Sequence, residues 1–448
     1  MDVIMASSIC RAMASRWMIA GSPSGGEGGV RSDRGTVAPT RVVTVSLVMA
    51  LALLGDSLLY VVLPLQAAAL GLSGVQVGVL LSANRFVRMA TNTGAARLLR
   101  RMNAGPLFVG ATVLAALTTA MYTLTPTFFP FLVARLLWGF SYSALRLGCF
   151  ITVLATATAR TRGRLMGLYQ SISRGGSFVA VMAGGALFDA FGYRPAVLVM
   201  AAGTALALPL ALWRGPMERS GQPVSASTPE PRQTDPAPAP PGARLLAVKW
   251  SAFALSFVAR GVVTATLAVF LRQAFGERLG PGGALGVATL ASWLIGVRWL
   301  AEIGLAAPLG ALSDRIGRTR AAIAWLLIGA VVTLALALAP ALGVAVAAAV
   351  LLFVASSGLG ATLDAAAGDL APAGRRAEVM SAYVDWADMG AALGPLLALS
   401  LADNLGLRPT YAAGALLLGL GAAAFWATHR PAVWRADAPV GRGTVTER

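Results

Sequence analysis

The sequence predicts an all-α integral membrane protein of twelve transmembrane helices, arranged as two six-helix repeats. Three observations carry this. The 448 residues are 57% hydrophobic and only 12% charged, where a soluble domain carries about 25%. Apolar windows of roughly 20 residues recur along the chain, the length of helical spans rather than of barrel strands. A shift of 214 residues lays the fifth span on the eleventh without a gap.

The elements follow in order. Residues 1–40 are polar and rich in Gly and Ser, and are expected to be a disordered cytoplasmic tail. The short apolar run Met13–Ala20 is broken by Arg16, which argues against a signal peptide. The first bundle, 41–213, holds spans at 41–64, 73–96, 105–125, 127–148, 163–188 and 195–213. Residues 214–246 contain eight prolines in a Ser/Glu/Arg background and read as an extended linker. The second bundle, 247–428, holds spans at 247–272, 284–311, 319–340, 342–366, 378–402 and 408–428. Residues 429–448 are expected to be a cytoplasmic C-terminal tail.

Orientation comes from the 36 lysines and arginines. With a cytoplasmic N-terminus, 25 lie on that side, seven lie within spans, and only Arg194, Arg272, Arg278 and Arg408 lie on the other. The excess of positive loops places both termini in the cytoplasm and the chain in the cytoplasmic (inner) membrane. Because these arginines are spread over short loops, the net charge of +17 does not point to nucleic acid.

Several chemistries are excluded. Cys10 and Cys149 occupy unlike settings and His429 is alone, which leaves no disulfide framework and no metal site. The single lysine, Lys249, sits in Ala-Val-Lys-Trp-Ser, so no nucleotide-binding P-loop is present. No cofactor is expected. Movement of a solute would draw on a gradient or on a partner subunit.

The repeat is detailed. Under the 214-residue shift Met166 meets Met380, Tyr169 meets Tyr383, and Asp189, Gly192, Arg194 and Pro195 meet Asp403, Gly406, Arg408 and Pro409. Gly176, Ala180 and Gly184 meet Gly390, Gly394 and Ala398, so each helix has a smooth face for close packing. Two halves related in this way are built like a secondary transporter with its site between them.

The charged stretch Gly310-Ala311-Leu312-Ser313-Asp314-Arg315-Ile316-Gly317-Arg318-Thr319-Arg320 reads as a surface turn between two spans. At Gly310, Asp314, Arg315, Gly317 and Arg318 it resembles the Gly-x-x-x-Asp-Arg-x-Gly-Arg-Arg loop of the major facilitator superfamily. The resemblance covers 41–428. The family's second copy is degraded at Gly94–Arg101, where Leu98 stands in place of the Asp. Arg135 and Gly139 match its fourth-helix Arg-x-x-x-Gly, whereas the Gly-Pro of drug antiporters in helix five is replaced by Ala180-Val181. Gly394-Pro395 appears in helix eleven instead. The resemblance implies alternating access, nearest to drug/proton antiporter-like members.

Charges inside spans mark a pathway or a pair. Asp56 lies fifteen residues past Arg41, about 22 Å along a helix. Such a carboxyl is able to exchange a proton; the other reading is a permanent strut paired with an arginine. The resemblance supports proton coupling by Asp56 with Arg135, which stays charged and either modulates the acid, holds an anion, or bridges helices. It also implies that helix two packs on eleven and five on eight. Arg85 or Arg88 would then pair with Asp385 or Asp388, and Arg174 with Glu302; the other reading pairs Glu302 with Arg298 inside one helix. Arg260 lies near the depth of Asp56 when Gly55 is aligned with Gly261. Tyr60, Arg85, Trp138, Arg260 and Trp386 are the candidate cavity residues. Asp314 is expected to accept hydrogen bonds from the start of helix five, near Arg164, as part of a gate.

The expected function is secondary active transport, not catalysis. The leading expectation is proton-coupled efflux of a small organic or amphipathic compound by a monomer in the lipid bilayer. The alternatives are proton-coupled uptake of an organic anion, and a membrane sensor or lipid translocase on the same fold.

Overall fold

Long apolar runs fold as helices, and prolines and glycines set where they break. The computed structural model describes residues 34–101, 104–124, 127–158, 161–214, 242–372 and 375–429. The expected tails and linker therefore lie mostly outside the described residues, at 1–33, 215–241 and 430–448. By its contacts the chain divides into Met1–Ala38 and Pro39–Arg448, and the bundle belongs to the second unit.

The first half comprises α1 (Arg34–Gln66), α2 (Gly74–Arg101), α3 (Ala104–Leu124), α4 (Phe128–Thr156), α5 (Arg162–Phe191) and α6 (Tyr193–Ala205, resumed as Ala207–Arg214). The second comprises α7 (Gly242–Phe275), α8 (Val287–Gly304, resumed as Ala306–Ile316), α9 (Arg318–Leu338), α10 (Leu342–Leu370), α11 (Arg376–Leu405) and α12 (Leu407–Thr428). This is the expected all-α architecture of twelve helices in two six-helix repeats. The breaks in α6 and α8 have one cause. Pro209 and Pro308 lack the N–H that would reach the carbonyls of Ala205 and Gly304, four residues back.

Packing repeats between the halves. α2 packs on α4, α3 on α4 and α6; correspondingly α8 packs on α10, and α9 on α10 and α12. Across the halves α2 lies along α11, and α5 along α8. Gly192 and Gly406, equivalent under the 214-residue shift, end α5 and α11 at φ 83° and 80° with an extended ψ, a region open essentially to glycine alone. The small residues act as expected: Gly176 abuts the Ala50 backbone of α1, and Gly390 the Phe253 backbone of α7.

Among the described residues, nine helices are long and apolar enough to cross a membrane by length and composition. The other three are α2, α5 and α11, the polar helices that join the halves. Two expectations are corrected. The Gly310–Arg320 turn is almost entirely helix: Ala306–Ile316 belongs to α8, Arg318 opens α9, and only Gly317 stands between them at φ 90°. The span expected at 284–311 begins only at Val287, because β1 (Arg278–Leu279) and β2 (Leu285–Gly286) pair as a short antiparallel hairpin before it.

Candidate functional site

α1 and α4 bring an acid and a base together inside the first half. Asp56 Oδ1 accepts from Arg135 Nη1 at 2.5 Å and from Asn84 Nδ2 of α2 at 2.9 Å. Arg135 Nε donates to the Leu80 carbonyl at 2.8 Å. The arginine side chain is 0% exposed and the aspartate side chain 11%. All of this pairing falls on Oδ1; among the described residues Oδ2 of Asp56 accepts no hydrogen bond. In so dry a place the two charges hold each other far more strongly than at a surface, and neither is tolerated alone.

Tyr60, one turn beyond Asp56, donates to the Leu81 carbonyl at 3.1 Å and accepts from Arg85 Nε at 3.0 Å. Arg88 lies over the Tyr142 ring, 3.9 Å from its centroid. Among the described residues neither Arg85 nor Arg88 lies within 4.0 Å of Asp385 or Asp388, although Asp388 is near enough to act electrostatically on Arg85. Tyr60 and Tyr142 of the first half engage these arginines directly. Trp138, an expected cavity residue, is only 1% exposed and packs within the first half beside Tyr142.

Glu302 of α8 is the centre of a second cluster. Its Oε2 lies 3.5 Å from Arg174 Nε of α5. Its Oε1 lies 3.8 Å from Arg260 Nη2 of α7 and 3.6 Å from Arg298 Nε of α8. Glu302 thus meets both its own helix and the opposite half. Arg298 also donates to Thr264 Oγ1 at 3.2 Å and lies over the Trp299 ring at 4.1 Å. Arg260 sits in a π-helical stretch, Ser256–Val263, where Thr264 Oγ1 bonds back to Ala259 five residues earlier. Such widened turns often mark functional positions. Trp386 stands edge-on to Trp250 and Phe253 at 6.5 and 6.3 Å.

At the end that carries Gly317, Asp314 accepts from Arg318 Nε at 3.2 Å, and Arg318 also pairs with Asp369 and the Ala365 carbonyl of α10. Arg315 is exposed. Asp314 therefore meets its own half here, where a contact with the start of α5 was expected.

The opposite end holds contacts that sequence reasoning did not interpret. Asp189, at the end of α5, accepts from the Thr289 backbone N–H and hydroxyl at the start of α8, at 2.6 and 2.5 Å. Asp403, at the end of α11, accepts from the Gly74 backbone N–H at the start of α2, at 3.0 Å. The repeat had already aligned these two acids, which was the available signal. Arg272 Nη1 adds a bond to the Leu65 carbonyl at 2.8 Å, joining α7 to α1.

Comparison with known proteins agrees with this geometry. The family model described as Major Facilitator Superfamily matches residues 45–286 and 249–445. No curated protein matches the chain in sequence. A solved bacterial homolog of the human lysosomal transporter Spinster, inward-facing and unoccupied, superposes with a TM-score of 0.70 at 17% identity, covering 88% of this chain and 97% of that one. A POT family transporter in complex with 5-aminolevulinic acid superposes at 0.68 with 13% identity, covering 88% and 96%. A point mutant of the nucleoside transporter NupG superposes at 0.67 with 13% identity, covering 88% and 100%. At these identities the structural likeness speaks for the fold.

Proposed function

Because the chain belongs to the Major Facilitator Superfamily, we propose that this transporter exports a small organic solute by alternating access in exchange for protons, with Asp56 as the proton site. The observation that carries the reading is the one-sided pairing of Asp56. Its Oδ1 is engaged by Arg135 and Asn84 while Oδ2 accepts no described partner. A proton added at Oδ2 removes the carboxylate charge. Arg135, whose charge is fixed, keeps its bond to the Leu80 carbonyl but now faces a neutral carboxyl oxygen at Oδ1, so its bond to Asp56 loses the carboxylate charge. The hold of α4 on α1 weakens, which ties protonation to the packing of helices in the first half.

Alternating access needs one end shut at a time. Asp189 and Asp403 close the end away from Gly317, each tying one half to the other. By the arginine asymmetry that end faces outward, so the described state opens to the cytoplasm. At the cytoplasmic end the Asp314, Arg318 and Asp369 contacts bind α8, α9 and α10 into one moving unit. With Gly310, Arg315 and Gly317 they form the proposed gating motif. The protein acts as a monomer in the cytoplasmic membrane, with both termini inside.

The second reading is proton-coupled uptake of an organic anion, favoured by the three arginines around Glu302. Proteoliposomes of known orientation, screened with a solute panel under an imposed pH gradient, test both. Accumulation against its gradient on the side opposite proton movement supports export. Accumulation on the same side as proton movement favours uptake, and accumulation indifferent to the pH gradient contradicts proton coupling.

A further inference from the structure

We infer that Arg174, Arg260 and Arg298 form the head-group site for an amphipathic organic anion, whose apolar body lies along the half-exposed faces of α7 and α1. This rests on the proposed transport of an organic solute, but not on its direction or on proton coupling.

The first observation is a charge imbalance. One carboxylate, Glu302, faces three guanidinium groups at 3.5 to 3.8 Å. Arg298 Nε is buried and has no hydrogen-bond acceptor. The neighbouring acids do not correct this. Asp364 makes no salt bridge within 4.0 Å among the described residues and accepts from the Tyr383 hydroxyl at 2.7 Å. Asp388 acts on Arg85 of α2, and Asp385 makes no salt bridge within 4.0 Å among the described residues. Positive charge in excess at membrane depth is costly unless an anion meets it. The planar arginine fork matches carboxylate, sulfonate and phosphate oxygens.

The second observation is the shape of α7. Between Ser251 and Leu271 every residue is buried except Phe253, Phe257 and Arg260. Spaced by four and three, these share one face. Trp250 extends the face one turn toward the N-terminus, and Trp386 of α11 stands against it. Arg260, at the end of this face, meets Glu302, which also meets Arg174 of the other half, so the face points toward the junction between the halves. It forms an aromatic wall that ends at a guanidinium.

The third observation is the counterpart on α1. Aligning Gly55 with Gly261 puts Leu47 and Leu51 in the places of Phe253 and Phe257. Leu47 is 40% exposed and Leu51 is half-buried, whereas Leu54, in the place of Arg260, is buried. One wall is thus aliphatic and uncharged, the other aromatic with a cationic end. This suits a molecule with an apolar body and a single anionic head, and it repels a cation.

Glu302 acts as the internal occupant of this site. An arriving anionic head competes with it for the same three guanidinium groups. That loosens the Arg174–Glu302 contact between α5 and α8, so cargo binding acts on the junction between the halves.

The test uses three probes with one body and fixed charge: phenylpropanesulfonate, phenylpropanol and phenylpropyltrimethylammonium. Tryptophan fluorescence of the full chain in nanodiscs is the readout, and Trp250→Phe with Trp386→Phe identifies the part of the signal of the ten tryptophans that comes from this wall. The expected result is saturable binding of the sulfonate only, weakened about tenfold or more in Arg260→Gln and Arg174→Gln. Glu302→Gln removes the competitor and tightens binding. Arg278→Gln, exposed on β1, leaves it unchanged. Melting temperatures establish that each variant is folded, and Arg174→Gln decides the case should Glu302→Gln not fold. No saturable sulfonate binding, equal binding of the ammonium, or weaker binding in Glu302→Gln overturns the inference. Inorganic sulfate binding as tightly as the sulfonate overturns its aromatic half. None of these readouts uses a proton gradient, so proton coupling stands or falls separately.

Discussion

Asp189 and Asp403 stand 214 residues apart and make the same contact from opposite halves of the chain. Each closes the last turn of one helix and caps the first turn of a helix in the other half, Asp189 on α8 and Asp403 on α2. A carboxylate at a helix N-terminus meets free N–H groups and the positive end of the dipole. Two such caps, related by the internal repeat, form a symmetric latch.

Removing both caps should unlatch that end. Each is worth about 1 kcal/mol, enough in combination to shift a balanced equilibrium about thirtyfold. Ser82 lies in register with Gly74 and Gly78, which face α11, and is buried. In a background with Cys10→Ala and Cys149→Ala, Ser82→Cys should react slowly with an impermeant maleimide added from the side of the latch. Asp189→Ala with Asp403→Ala should raise that rate severalfold. An unchanged rate in a folded double variant contradicts the latch.

The Asp56–Arg135 pair makes a stability prediction. Arg135→Met alone strands a buried carboxylate and should cost about 3–5 kcal/mol. Asp56→Asn combined with Arg135→Met removes both charges and should recover most of that loss. Thermal unfolding in detergent measures this. A double variant no more stable than Arg135→Met shows that the charges do not act as a pair.

Close packing of α7 on α11 makes another. A methyl on Gly261 would lie 2.7 Å from Gly394 Cα. Gly261→Ala should destabilise by about 1–3 kcal/mol through forced separation of the helices. Gly419→Ala, in α12 where nothing lies within 4 Å, should be neutral or stabilise by up to about 1 kcal/mol. Equal melting temperatures for the two variants would show that the close approach is not needed.

Much of the fold was legible because it is written locally. Hydrophobic length marks the spans; α2, α5 and α11 are the most polar of them, and the 214-residue repeat pairs α5 with α11. The Gly310–Arg320 turn was read too broadly, since charge and glycine signal a membrane surface but do not say where a helix stops. Only Gly317, with its positive φ, does so. The site was legible in composition but not in its pairings. That Asp56 and Arg135 are special follows from the rarity of charge in hydrocarbon. That Asn84 would join them, that tyrosines would engage Arg85 and Arg88, and that Asp189 and Asp403 would latch the halves are contacts set by tertiary packing. No periodicity in the chain reports a pairing of residues 100 or 329 positions apart.

The central claim is that Asp56 carries the coupling proton, and the most direct test separates exchange from coupling. Proteoliposomes holding a pH-sensitive dye are loaded with phenylpropanesulfonate or another solute shown to bind, and diluted into solute-free buffer. The wild-type chain should move protons inward as the solute leaves, while Asp56→Asn should still exchange labelled solute at equal concentrations on both sides but move no protons. Proton movement in Asp56→Asn at the wild-type rate would contradict the account.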